Sequence, residues 1–130
     1  MDDELKICRV YVRMLRDDHD VVVRNSGIEA LELFESGYRF DAILCDLQMP
    51  GMTGAVFYAN LLRLAPDQVQ RLIIVSGNAS SPIADFVRSN LIVEKPFDPV
   101  HVKELVSRVV SAARADYFPR APGRSIANSG

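Results

Sequence analysis

DAILCDLQMPGMTG, residues 41–54, joins a continuous apolar run to a carboxylate and then to a loop rich in Pro and Gly. A run such as Ala42–Cys45 has no polar face, so it suits a strand covered on both sides, as a parallel sheet requires. Asp46 stands at its carboxyl end. The loop MPGMTG then leads into a helix over about 53–64.

Working outward, the same unit recurs. RLIIVS at 71–76 is a second apolar strand, and LIVE at 91–94 a third, with a loop and a short helix (SSPIADFVRS) between them. Asp98-Pro99 is an N-cap followed by proline at the first helical position. It opens an amphipathic helix with apolar residues at 102, 105, 106, 109 and 110. Upstream, Ser26 and Glu29 form a capping box, and Gly37 stops that helix. Val21–Val23 fits a short buried strand after the polar turn DDHD. Residues 5–16 place Ile7, Val10, Tyr11, Met14 and Leu15 on one helical face, although β-branched residues leave a strand over 7–12 as a minority reading. Strands alternating with helices give an α/β fold, a doubly wound parallel sheet with helices on both faces. From about Arg114 the pattern fails, so the expected organisation is one domain over 1–113 and a loose tail over 114–130.

The 130 residues suit a single core, and the net charge of −2 argues against a nucleic-acid partner. No apolar run approaches the roughly 20 residues of a membrane span, so no membrane is expected. Cys8 and Cys45 lie in apolar segments, which fits buried thiols in a reducing, cytoplasmic compartment. His19 and His101 lack a second histidine at ligand spacing and are expected at the surface. Tyr38, Phe40, Phe57, Phe86 and Phe97 are expected in packing.

In such a sheet the ligand site lies beyond the carboxyl ends of the strands. Asp46, Ser76 and Lys95 occupy equivalent positions there. Taken singly, an Asp after a strand is most often a cap, a Ser before Gly a turn residue and a Lys a solvated one. Together they put a carboxylate, a hydroxyl and an ammonium on one rim. Asp2 and Asp3 would join them if the segment before the first helix entered the sheet. Carboxylates so clustered repel one another unless a cation intervenes, and they suit a hard divalent ion such as Mg²⁺.

These pieces are DDE at 2–4, DAILCDLQMPGMTG at 41–54, VSG at 75–77 and EKPF at 94–97. In this order and spacing the chain resembles a response-regulator receiver domain, the phosphoacceptor module of two-component signalling, from Asp2 to about Val110. The resemblance implies a flavodoxin-like fold. It implies that Asp46 accepts the phosphoryl group, and that Asp3, with Asp2, binds Mg²⁺ together with Asp46 and the backbone carbonyl of Gln48. Ser76 would hydrogen-bond the phosphoryl group as the switch residue, and Lys95 would pair with a phosphoryl oxygen across a cis bond to Pro96. The implied partner is a histidine kinase or a histidine phosphotransfer protein, and a homodimer is a further possibility. The domain would catalyse only its own phosphorylation and dephosphorylation.

The sequence departs from the family in three respects. Only Met1 precedes the acidic pair, where the family has an apolar strand, central in the order 2-1-3-4-5. Losing four or five buried aliphatics costs roughly 6–15 kcal/mol, comparable with a whole domain's stability. The favoured expectation is a truncated reading of a longer chain. The alternatives are that Val21–Val23 closes directly on the Ile43 strand, or that another chain donates a strand. Under either, Asp2 and Asp3 would be poorly anchored and the chain could be a degenerate interaction module that is not phosphorylated. The segment after Ser76 is short, as in receivers of hybrid histidine kinases, and Ile92 stands where many members carry an aromatic switch residue, so it is expected in the core. The residues after the last helix are too poor in apolar pattern for a DNA-binding module, which disfavours direct transcriptional action. An aspartyl-nucleophile phosphatase of the haloacid dehalogenase type is disfavoured, because Gln48 stands where its second carboxylate is needed.

Overall fold

A computed structural model of the chain describes residues 1–47, 49–77 and 91–117. Gln48, the expected short helix within SSPIADFVRS with its Phe86, and the residues after 117 lie outside the described residues. The elements run α1 (Leu5–Leu15), α2 (Gly27–Glu35), β1 (Ile43–Asp46), α3 (Gly54–Leu64), a 3₁₀ turn (Pro66–Arg71), β2 (Leu72–Ser76), β3 (Ile92–Glu94) and α4 (Pro99–Tyr117).

The three strands form a parallel sheet in the order β1-β2-β3. Ile43 pairs with Leu72 and Asp46 with Val75, and Ser76 pairs with Glu94. This register brings the strands' carboxyl ends level. All five residues of β2 are buried, which is the reason a run without polar alternation forms the middle strand. Helix packing completes the core. Phe57 and Leu61 of α3 and Val102 of α4 are fully buried, and Phe34 of α2 meets Phe57 edge-on at 6.4 Å. Ile92, expected in the core, is half-buried and packs against it.

The helix ends follow their sequence signals. Ser26 Oγ accepts from the Glu29 amide at 3.2 Å, and Thr53 Oγ1 accepts from the Val56 amide at 3.2 Å. Asp98 Oδ1 accepts from the Val100 amide at 2.9 Å. Gly37 has a φ of +93°, a left-handed value that a side chain would resist. α1 inserts Cys8, Tyr11 and Leu15, whereas Val10 is exposed. The amphipathic face is therefore centred one step from the expected Ile7/Val10 stripe. α4 runs on to Tyr117, past the point where the apolar pattern weakens at Arg114. Ala113 is buried, and the Arg114 guanidinium lies 4.0 Å from a carboxylate oxygen of Asp41.

Residues 21–24 correct a sequence expectation. They form no strand and do not close on β1. A cleft lined by Val21, Val22, Val23, Ile43 and Leu44 separates the two segments. Among the described residues, Met1 bridges it. Its ammonium donates to the Leu44 carbonyl, the Asp46 amide donates to the Met1 carbonyl at 3.0 Å, and the Asp2 amide donates to the Arg24 carbonyl at 3.3 Å. Met1 thus makes the bond pattern of one residue of a parallel strand beside β1. Burial pulls its amine's pKa below the usual value.

Candidate functional site

The turn after β1 fixes the first of the site residues. The Leu47 amide donates to the Val75 carbonyl at 3.2 Å, and the Gly54 amide donates to the Leu47 carbonyl at 2.7 Å. Gly51 has a φ of +81°, so the loop reverses at a residue without a side chain. Gly54 permits the closure, because an added Cβ would stand 2.9 Å from the Leu47 Cα and 2.7 Å from its Cδ1. Gly54→Ala is expected to cost roughly 1–3 kcal/mol by overpacking against backbone that cannot give way. Urea unfolding monitored by circular dichroism checks this; an unchanged midpoint would show that the loop is loose.

Asp46, Asp2 and Lys95 meet on the rim. Lys95 Nζ lies 3.3 Å from Asp2 Oδ2 and 3.3 Å from Asp46 Oδ2. Asp2 is fully buried and Asp46 is 6% exposed. Burial disfavours the Lys95 ammonium, but the Asp2 and Asp46 carboxylates outweigh it and raise the lysine's pKa. The Lys95–Pro96 bond is cis, and the Lys95 amide donates to the Ser76 carbonyl at 2.8 Å. Ser76 itself is buried at the end of β2. Asp3 is exposed at the mouth, and carboxylate oxygens of Asp2, Asp3 and Asp46 lie within 4.8 Å of one another.

Asp2 is firmly held, contrary to the expectation for a chain with this first segment. The Glu4 amide donates to Asp2 Oδ1 at 3.0 Å. The Cys8 thiol and the Asn25 amide group each donate to the Asp2 carbonyl, both at 3.2 Å. The Met1 bridge to β1 and the Arg24 contact fix the backbone at Asp2 from two sides. Sequence reasoning missed Cys8 and Asn25 as supports, because a thiol in an apolar helix and an Asn in a loop carry no spacing signal. Asp2 is the buried partner of Lys95, and Asp3 stands exposed beside it. Tyr11, stacked on Phe97 at 5.6 Å, lies beside this group, and burial followed by the nearby Asp2 and Asp46 charges raises its pKa. Burial pushes the Cys45 thiol up to about 12. Both cysteines are free and buried. His101 is exposed as expected, but His19 is half-buried.

Lys95→Met removes the cation shared by Asp2 and Asp46 and leaves two largely buried carboxylates opposed. The expected loss is roughly 1–3 kcal/mol, below that of a fully buried pair because the lysine is partly solvated. Urea midpoints at neutral pH measure it, and equality with the parent protein would show that the ion pairs carry no net stability.

The family profile described as "Response regulator receiver domain" matches residues 1–107. The chain belongs to the response-regulator receiver family. This receiver is 30% identical over 116 residues to the hydrogenase transcriptional regulatory protein HoxA of Bradyrhizobium diazoefficiens, covering 88% of the chain but only 24% of HoxA. The receiver thus spans about a quarter of that curated relative. Among solved structures, it superposes on a response regulator receiver protein from Sinorhizobium medicae with a TM-score of 0.72 and 25% identity, covering 86% of this chain and 91% of the other. The signal receiver domain of a LuxO repressor protein from Vibrio parahaemolyticus aligns with a TM-score of 0.78 at 17% identity, covering 92% and 93% of the two chains. That likeness supports the flavodoxin-like fold.

Proposed function

We propose that this receiver takes a phosphoryl group onto Asp46 from a histidine kinase or a histidine phosphotransfer protein. The reading is carried by one observation, the Lys95 ammonium 3.3 Å from both Asp46 and Asp2. An Asp46 carboxylate oxygen attacks phosphorus, the phosphorus–nitrogen bond of the phosphohistidine breaks, and the imidazole leaves with the bonding pair. The product on Asp46 is an acyl phosphate, and attack by water on it returns the carboxylate and inorganic phosphate. The transition state spreads charge over three equatorial oxygens, so fixed positive charge and positioning carry the catalysis. Lys95 supplies that charge next to the nucleophile, and Ser76, at the end of the adjacent strand, would take a hydrogen bond with the arriving phosphoryl group.

Asp2, Asp3 and Asp46 offer hard oxygen donors in one cluster, which fits Mg²⁺. When bound there, Mg²⁺ would neutralise charge on the phosphoryl oxygens. The carbonyl of Gln48, expected as a further ligand, lies outside the described residues. Residues 1–113 would form the functional unit and work in the cytoplasm; among the described residues no helix is long and apolar enough to cross a membrane.

Incubation with Mg²⁺ and acetyl phosphate tests the reading. Intact-mass measurement is expected to show one added phosphoryl group per chain, and no mass gain under these conditions would overturn it. A second reading, a receiver-like interaction module that is not phosphorylated, is favoured by the cleft beside β1. It predicts weak Mg²⁺ binding, so a metal titration separates the two.

A further inference from the structure

Asp3 is the least supported member of the acidic cluster. It is exposed, and its carboxylate takes no hydrogen bond or ion pair among the described residues. Asp2 differs, because Lys95 and the Glu4 amide both hold its carboxylate. The place of Asp3 within 4.8 Å of Asp2 and Asp46 is therefore set by its backbone. That backbone begins with the planar peptide unit that carries the Asp2 carbonyl. Whatever fixes this oxygen fixes the direction in which Asp3 leaves. Two side chains donate to it, each at 3.2 Å. The Cys8 thiol is a weak donor, so the Asn25 amide group is the stronger hold. Asn25 is itself anchored on both sides. Before it, the Arg24 carbonyl accepts from the Asp2 amide at 3.3 Å. After it, Ser26 caps α2, and Gly27 lies so close to Met52 that an added Cβ would stand 2.6 Å from the Met52 sulfur. Met52 belongs to the loop that leaves Asp46. Residues 24–27 thus touch both the Asp2 side and the Asp46 side of the site.

We infer that Asn25 is a positioning residue for the cation site: its side-chain amide holds the Asp2–Asp3 peptide so that the Asp3 carboxylate stays beside Asp2 and Asp46. The inference rests on the Mg²⁺ reading of this cluster given above. Without the amide the peptide is free to turn, and Asp3 swings toward solvent, where water rather than the ion takes up its charge. Asn25 is exposed, so replacing it opens no cavity in the core. Its effect should therefore fall on the metal and not on the fold.

The test is a titration of the full metal-free chain with magnesium chloride, followed by amide chemical shifts of the isotope-labelled protein. Asn25→Leu keeps the side chain's bulk and removes its donors. It is expected to weaken Mg²⁺ binding roughly tenfold, the lower end for partners that orient a metal ligand. Its thermal midpoint without metal is expected to move by no more than a few degrees. Asn25→Gln retains the amide on a longer stem and is expected to recover most of the affinity. Asp3→Asn weakens binding by itself, and adding Asn25→Leu to it is expected to weaken it no further, since both act through one carboxylate. The inference is overturned if Asn25→Leu binds Mg²⁺ within about twofold of the parent protein, if Asn25→Gln is as weak as Asn25→Leu, or if the Asp3 and Asn25 effects add. A parent protein with no saturable response to Mg²⁺ overturns the metal reading, and the inference falls with it; parental binding with an unaffected Asn25→Leu overturns the inference alone.

Discussion

Asp46→Asn is expected to abolish phosphoryl uptake from acetyl phosphate, from one group per chain to none. The substitution keeps the side chain's size but removes the anionic nucleophile. The amide that replaces it cannot form a stable acyl phosphate. Asp2 keeps its own 3.3 Å contact with Lys95, so the variant should fold with a near-native circular dichroism spectrum. That separates lost chemistry from lost structure. Mass spectrometry of both proteins after the same Mg²⁺ and acetyl phosphate treatment gives the answer. Retention of a phosphoryl group by the variant would place the acceptor elsewhere, and the role given to Asp46 would fall.

The largest effect on stability is expected from Phe57→Ala. Phe57 is fully buried where α3 meets the sheet and packs edge-on against Phe34. Truncation loses the transfer free energy of the ring and leaves a cavity, a combined cost of about 3–5 kcal/mol. A domain of this size has about 5–15 kcal/mol in total, and this one already holds a cleft in its interior wall. The variant is expected to unfold at a much lower urea concentration or to be largely unfolded at 37 °C. Phe57→Leu fills much of the same space and should cost roughly half as much. A loss below about 1 kcal/mol for the alanine variant would show that the helix is not held by this ring.

The three described strands were legible because each is an apolar run without a polar face, bounded by a polar residue at the carboxyl end. The same boundary residues, Asp46, Ser76 and Lys95, made the candidate site legible, since equal register brings equivalent positions to one rim. What escaped was whatever depends on a single residue or on distant partners. Met1 acts as one residue of a strand through two bonds to β1, and no periodicity can be read from one residue. Val21–Val23 has strand composition but finds no ladder, because composition does not supply the neighbouring chain. Cys8 is chosen over Val10 by the direction in which α1 meets Asp2. Gln68 is buried because its side-chain oxygen accepts from the Phe40 amide at 2.7 Å, a contact across 28 positions that local sequence does not announce.

The Tyr11–Phe97 stack ties α1 to the segment carrying Lys95. The rings lie nearly parallel, 13° apart, and Phe97 follows Lys95 by two residues. Any shift of the lysine toward a new anion would drag this ring pair, and α1 would rock with it. Leu5 and Val10 are already exposed on that helix. The stack thus links the acidic rim to an outer helix by a path that does not pass through Ile92.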